Sequence, residues 1–218
     1  MSPMKVLIVA EHDNATLKPA TLHLVSAALQ LGSDISILVA GQGCAAVADS
    51  ASRIAGVSRV LLADNAVYQY QLAEALAPLV VQLASDAGAV LAAASTTGKN
   101  VLPRVAAALD VAQLSEILAI KDASTFVRPI YAGNAIQLVK SGDKTKVMTI
   151  RTAGFDAAPA GGSAPVEALG TAASSGLSAW VEDKTATSDR PELTSAGIVV
   201  SGGRGVGSKD DFAIIEAL

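Results

Sequence analysis

Four glycines surround one arginine near the end of this 218-residue chain: Gly202, Gly203, Gly205 and Gly207 flank Arg204. An apolar stretch, Ile198 to Val200, enters this run, and a helical pattern leaves it toward Leu218. Strand, glycine turn and helix start together present backbone N–H groups to an anionic ligand. A guanidinium cannot lose its charge and stacks flat on aromatic rings, so Arg204 suits an anionic or π-rich ligand. A plain tight turn between strand and helix would use the same glycines. A phosphate-cradling P-loop requires G-x-x-x-x-G-K-[ST]; Gly202 and Gly207 have that spacing, but Ser208-Lys209 stands in reversed order. The dinucleotide fingerprint G-x-G-x-x-G fails as well, because Ser208 occupies the place of its last glycine.

Two further groups could do chemistry. Ser95-Thr96-Thr97-Gly98-Lys99-Asn100 follows an apolar run and opens a helical pattern, the place where α/β proteins bind ligands. Ala93 stands where a P-loop has its first glycine, so the stretch is no Walker motif. Thr96 and Thr97 with Lys99 could bind a nucleotide; alternatively, one threonine caps the helix and the lysine is solvated. Glu11-His12-Asp13-Asn14 combines acid, imidazole and amide, the groups of general acid/base work, yet no paired nucleophile is evident. A polar loop ending in a helix cap is the favoured reading. His23 reads as a packed or surface histidine and Cys44 as a small core residue. Two histidines and one cysteine, without H-x-x-x-H or C-x-x-C spacing, predict no metal site, and no residue is assigned a catalytic role.

The elements that would position these groups alternate. Strands are expected at 5–10, 34–40, 58–63 and 89–93, and helices at 17–31, about 44–54, 67–86 and 100–109. This alternation predicts a parallel βαβ sheet of nucleotide-binding type with right-handed crossovers. From Ser124 the pattern changes: 126–131, 135–140 and 146–151 read as strands joined by Gly- and Asn-containing turns, an antiparallel addition to that sheet. Residues 157–178, rich in Ala, Gly, Ser and Pro, read as a linker or a loosely attached segment. The expected organisation is an N-terminal α/β domain over 1–185, then the first strand, loop and helix of a second α/β domain over 191–218. That second domain begins here and is expected to be incomplete.

Composition narrows the function classes. The chain is 51% hydrophobic but 3% aromatic, so its interior is built from Ala, Val, Leu and Ile, as in a parallel sheet covered by helices. Sixteen basic against twenty acidic residues, with no basic cluster, argue against nucleic acid. The longest apolar stretch is interrupted by Pro78, Gln82, Asp86 and Gly88, so no spanning helix is expected. The first strand starts too early for a signal or transit peptide, which predicts a bacterial cytoplasmic protein.

Several stretches together resemble the alpha subunit of electron-transfer flavoprotein: Val6–Asn14, Thr97–Ala106, Arg128-Pro-Ile-Tyr-Ala-Gly-Asn134, Arg190-Pro-Glu-Leu193 and Val200-Ser-Gly-Gly-Arg-Gly205. The likeness runs along the whole chain in order. It implies a scaffold domain packed against a beta subunit in a heterodimer, followed by an FAD domain. In that domain Arg204, with Gly203 beside it, contacts the flavin. The family's remaining flavin contacts would fall beyond Leu218, leaving the cofactor site incomplete in this stretch. The resemblance further implies an electron carrier without a substrate of its own. It would take electrons from acyl-CoA-type dehydrogenases of fatty acid β-oxidation and pass them to a quinone-side oxidoreductase. A nucleotide-binding α/β protein and a purely structural assembly domain are the alternatives.

Overall fold

The computed structural model describes residues 4–170, 176–184, 193, 196 and 198–217. The chain divides into two compact units, Met1–Trp180 and Val181–Leu218. In the first, β1 (Lys5–Val9), β2 (Asp34–Gly41), β3 (Arg59–Asp64) and β4 (Ala89–Ala93) alternate with α1 (Ala20–Leu29), α2 (Ala45–Ser52), α3 (Ala73–Leu83) and α4 (Thr96–Ala108). Then come β5 (Gln113–Ile117), β6 (Ala119–Asp122), β7 (Thr125–Ile130), β8 (Ala135–Lys140), β9 (Lys146–Ile150) and β10 (Val166–Ala168). The main sheet has seven strands in the order β10-β3-β2-β1-β4-β9-β5, all parallel. The α/β class with a parallel sheet is as expected from the sequence.

The central strands are predominantly apolar because both their faces are covered. Along β1, Val6 and Ile8 face the layer holding α1 and α2, whereas Leu7 and Val9 face α3 and α4. Successive strand side chains alternate between faces, and here both faces lead into a core. On α1, Thr21, Leu24, Val25 and Ala28 repeat at helical spacing and are buried.

Three expectations for the first unit need correction. The antiparallel addition is a separate three-stranded sheet, β6-β7-β8, and the strand at 146–150 does not belong to it. That strand, β9, enters the main sheet in parallel between β4 and β5, because its Val147, Met148 and Ile150 can be buried on both faces. The Ala/Gly/Pro-rich stretch is bonded structure as far as Gly170 and not a free linker there. Ala158 N–H donates to Leu22 O, Gly161 and Gly162 N–H donate to Arg53 O, and β10 pairs with β3. Small side chains permit this close approach: a Cβ on Gly162 would stand 2.2 Å from Ile54 O. Finally, the helix expected over 67–86 is broken. A 3₁₀ turn at Ala66–Tyr68, capped by Asn65, precedes α3, and Gln71 between them has φ 50°.

In the second unit, Ile198–Val200 forms no strand among the described residues. An isolated strand has no neighbour for its N–H and C=O groups, so apolar composition alone does not produce one. One 3₁₀ turn covers Arg204–Val206, another Asp210–Phe212, and α5 (Ala213–Glu216) follows.

Candidate functional site

Sheet order reverses direction of chain progress between β1 and β4, so the loops leaving their carboxyl ends part and open a crevice. A cavity of ≈190 Å³ lies there, lined by Gln71, Thr96, Thr97, Asn100 and Val101. Ser95 caps α4 by accepting the Gly98 N–H at 3.3 Å, so the cap is neither of the threonines expected. Lys99 is not simply solvated. It forms an ion pair with Glu116, which also pairs with Arg151 at 3.1 Å, tying α4 to β5 and β9. The lysine a nucleotide phosphate would need is therefore already paired with a carboxylate.

The Glu11–Asn14 loop, also at the carboxyl end of β1, spends its polar groups on its own shape. Asp13 accepts from Ala15 N–H, Thr16 N–H and the Thr16 hydroxyl, and pairs with Lys18 at 3.1 Å. These bonds hold its carboxyl well below the usual carboxylate range. Buried His12 accepts the Asn14 N–H on Nδ1 at 3.1 Å, while the Gln71 amide donates to the His12 carbonyl at 3.1 Å. Burial pushes the imidazole below its ordinary value, so it is neutral near pH 7. The Asn14 carboxamide donates to Gln69 O and accepts from Gln42 N–H. A general acid or base needs a free partner atom aimed at substrate, and His12, Asp13 and Asn14 are engaged with the loop and its neighbours.

His23 packs with a ring nitrogen 2.6 Å from Phe155 O, and Cys44 is fully buried, its thiol pushed up by burial. No group of three metal-ligating side chains occurs among the described residues. Nor, among them, is any helix long and apolar enough to cross a membrane. Beside the crevice, Tyr70 and Trp180 stack with ring centroids 4.1 Å apart. Ser178 donates to Glu74, which pairs with Arg104 at 2.9 Å, so residues 178–180 lie along the start of α3. Gln71, Glu116 and Tyr70 carry no motif; only their distant partners reveal their roles.

In the second unit, Arg204 is exposed, and a Cβ on either neighbour, Gly203 or Gly205, would meet nothing within 4 Å. Gly202 is different: its Cβ would stand 3.0 to 3.2 Å from Val206, Phe212 and Ile215, a small apolar cluster under the loop. The loop's helical exit is internally satisfied. Ser208 N–H and Oγ both donate to Asp211 Oδ2, and Asp211 N–H donates back to Ser208 Oγ. This reciprocal cap occupies both donors of Ser208. What the loop presents outward is the guanidinium and the open space beside it.

A family profile described as electron transfer flavoprotein domain matches residues 6–174. The electron transfer flavoprotein subunit alpha of Pseudomonas aeruginosa is 56% identical over 216 residues, covering 99% of this chain and 70% of that protein. The subunit of the same name from Paracoccus denitrificans is 57% identical with the same coverage. The mitochondrial one of Dictyostelium discoideum is 47% identical over 97% of this chain and 64% of its own length.

Proposed function

The chain belongs to the electron-transfer flavoprotein family, among its alpha subunits, and we propose that it works as an electron carrier holding FAD and paired with a beta subunit. The observation that carries this reading is the match to named alpha subunits over 99% of the chain. In this reading the first unit is scaffold and the second contributes to the cofactor site. Arg204 and Gly203 are the residues here that would hold the flavin: an exposed cation, with room beside it for a flat ring. FAD, when bound, supplies the redox chemistry, and the protein sets its potential and exposure. The electrons come from acyl-CoA-type dehydrogenases and go to a quinone-side oxidoreductase, in the bacterial cytoplasm.

Arg204 acts by charge. A fixed cation near the ring favours the reduced, negatively charged form over the neutral oxidised one. Two unit charges 4 Å apart interact by about 1 kcal/mol in water and about 4 kcal/mol near a protein surface, roughly 40–170 mV for one electron. The test is a redox titration, followed by the visible spectrum, of the complex with its beta subunit. Arg204→Ala is expected to lower the first reduction potential within that range. Arg204→Lys should restore part of it, since charge returns without the stacking plane. An unchanged potential in Arg204→Ala removes the residue from this role, and a purified wild-type complex without flavin removes the carrier reading.

A further inference from the structure

Gln71, between the 3₁₀ turn at Ala66–Tyr68 and α3, stands at φ 50°. A residue with a Cβ keeps this left-handed conformation only where its surroundings impose it. Some of the constraint is local: Gln71 N–H donates to Tyr68 O at 3.0 Å, and its side-chain amide donates to His12 O. The rest comes from residues far along the chain but in the same compact unit. Trp180 lies flat on Tyr70, the residue before Gln71, with ring planes 3° apart. Ser178 Oγ donates at 2.9 Å to Glu74, three residues after Gln71. Glu74 also pairs with Arg104, whose Nε donates to Asn100 Oδ1 at 3.4 Å. Gln71 and Asn100 both line the crevice cavity. Residues 178 and 180 therefore grip both flanks of Gln71 and reach, through Glu74 and Arg104, the α4 wall of the same cavity.

These are side-chain contacts at the surface, with Trp180 39% and Tyr70 42% exposed. A stacked aromatic pair and one hydroxyl–carboxylate bond together favour docking by roughly 5- to 150-fold, before the cost of ordering the segment. The strands beneath are hydrogen-bonded on both sides and open only with the fold itself. A segment fastened in this way to a rigid core has two discrete arrangements, docked and released. We infer that Ser178–Trp180 is a releasable strap. Docked, it holds Gln71 in its left-handed conformation and fixes the crevice wall that covers His12; released, it lets Gln71 relax and the crevice open.

The experiment follows hydrogen exchange of the Gln71 amide and the emission of Trp180 in the full chain. Trp180→Ala is expected to speed exchange at Gln71 about tenfold, and Ser178→Ala about threefold, with β1 and β2 amides at parental rates. Glycine has no left-handed strain to hold, so adding Trp180→Ala to Gln71→Gly should change exchange at position 71 by less than about twofold. In the parent, urea should move the emission of Trp180 at concentrations where circular dichroism still reports the native sheet. Parental exchange at Gln71 in Trp180→Ala overturns the inference. So does coincident loss of the Trp180 signal and the sheet, since the segment would then be a fixed part of the fold. Equal acceleration of β1, β2 and Gln71 amides in both Trp180→Ala and Ser178→Ala overturns it too, because the segment would be supporting the whole unit and not the crevice wall.

Discussion

Gly98 illustrates how two opposing effects can be weighed. It lies in the first turn of α4, where alanine would ordinarily be favoured over glycine by about 0.5–1 kcal/mol. Yet a Cβ at this position would stand 2.0 Å from Ala93 O and 3.3 Å from the Ala92 Cβ. The obstructing atom is backbone of β4, which is held on both sides by β1 and β9 and cannot swing away as a flexible side chain would. Relieving the contact means moving the helix outward by about 1 Å and loosening Val101, Leu102 and Val105, all buried beneath it. Overpacking of this kind costs about 1–3 kcal/mol and sometimes more, and the rigid obstacle places Gly98→Ala at or above the upper end. After subtracting the propensity gain, the net loss is about 2–3 kcal/mol, or roughly 5–10 °C in Tm for a protein of this size. Thermal melts followed by circular dichroism, with Gly142→Ala as control, decide it. Gly142 has open space around it, so its variant should lie within about 0.5 kcal/mol of the parent. A Gly98→Ala protein melting at or above the parent would show that propensity wins and that α4 is not held this close to β4.

Two further predictions concern the loops around the crevice. Because burial lowers the His12 pKa, the unfolded chain gains its proton near pH 6.5 while the folded chain resists it. The neutral ring's contribution is complete above that pH and drains away as pH falls toward the folded value, so stability should drop on acidification. Urea midpoints of parent and His12→Asn, compared from pH 7.5 to 5, should converge; a gap that does not change with pH refutes the assignment. Trp180 is the sole tryptophan of the chain, so its fluorescence reports directly on the stack with Tyr70. Tyr70→Ala should shift its emission toward that of solvated indole, and an unchanged spectrum would mean that the stack does not hold the segment.

Legibility in the sequence followed the range of the interactions. β1, β2 and β4 stand out as predominantly apolar runs because both their faces are buried, and Arg204 stands out because glycines isolate it. β5, reading Gln-Leu-Ser-Glu-Ile at a sheet edge, buries Leu114 and Ile117 only and gives too weak a pattern to notice. β9 was recognisable as a strand but not as a member of the main sheet, since pairing partners are chosen by tertiary fit. The same limit applies to Lys99: its helix-start position suggested a free cation, and only the fold brings Glu116 from a strand to pair with it. Ser95, adjacent to two threonines with equal capping chemistry, was selected by backbone geometry that composition does not encode.

The late arrival of β9 has a consequence for synthesis. β4 is complete at Ala93, but the strand that covers its open edge ends at Ile150, after the whole detour through β5 and the small sheet. A ribosome adding about 5–20 residues per second needs roughly 3–11 s to make that stretch. During this interval Ala89–Ala93, apolar and without a polar break, offers an unpaired parallel edge to any neighbouring nascent chain. The growing polypeptide therefore passes through a defined window of aggregation risk, one that closes when Lys146–Ile150 slides into place and that slower codons after Ile150 could not shorten.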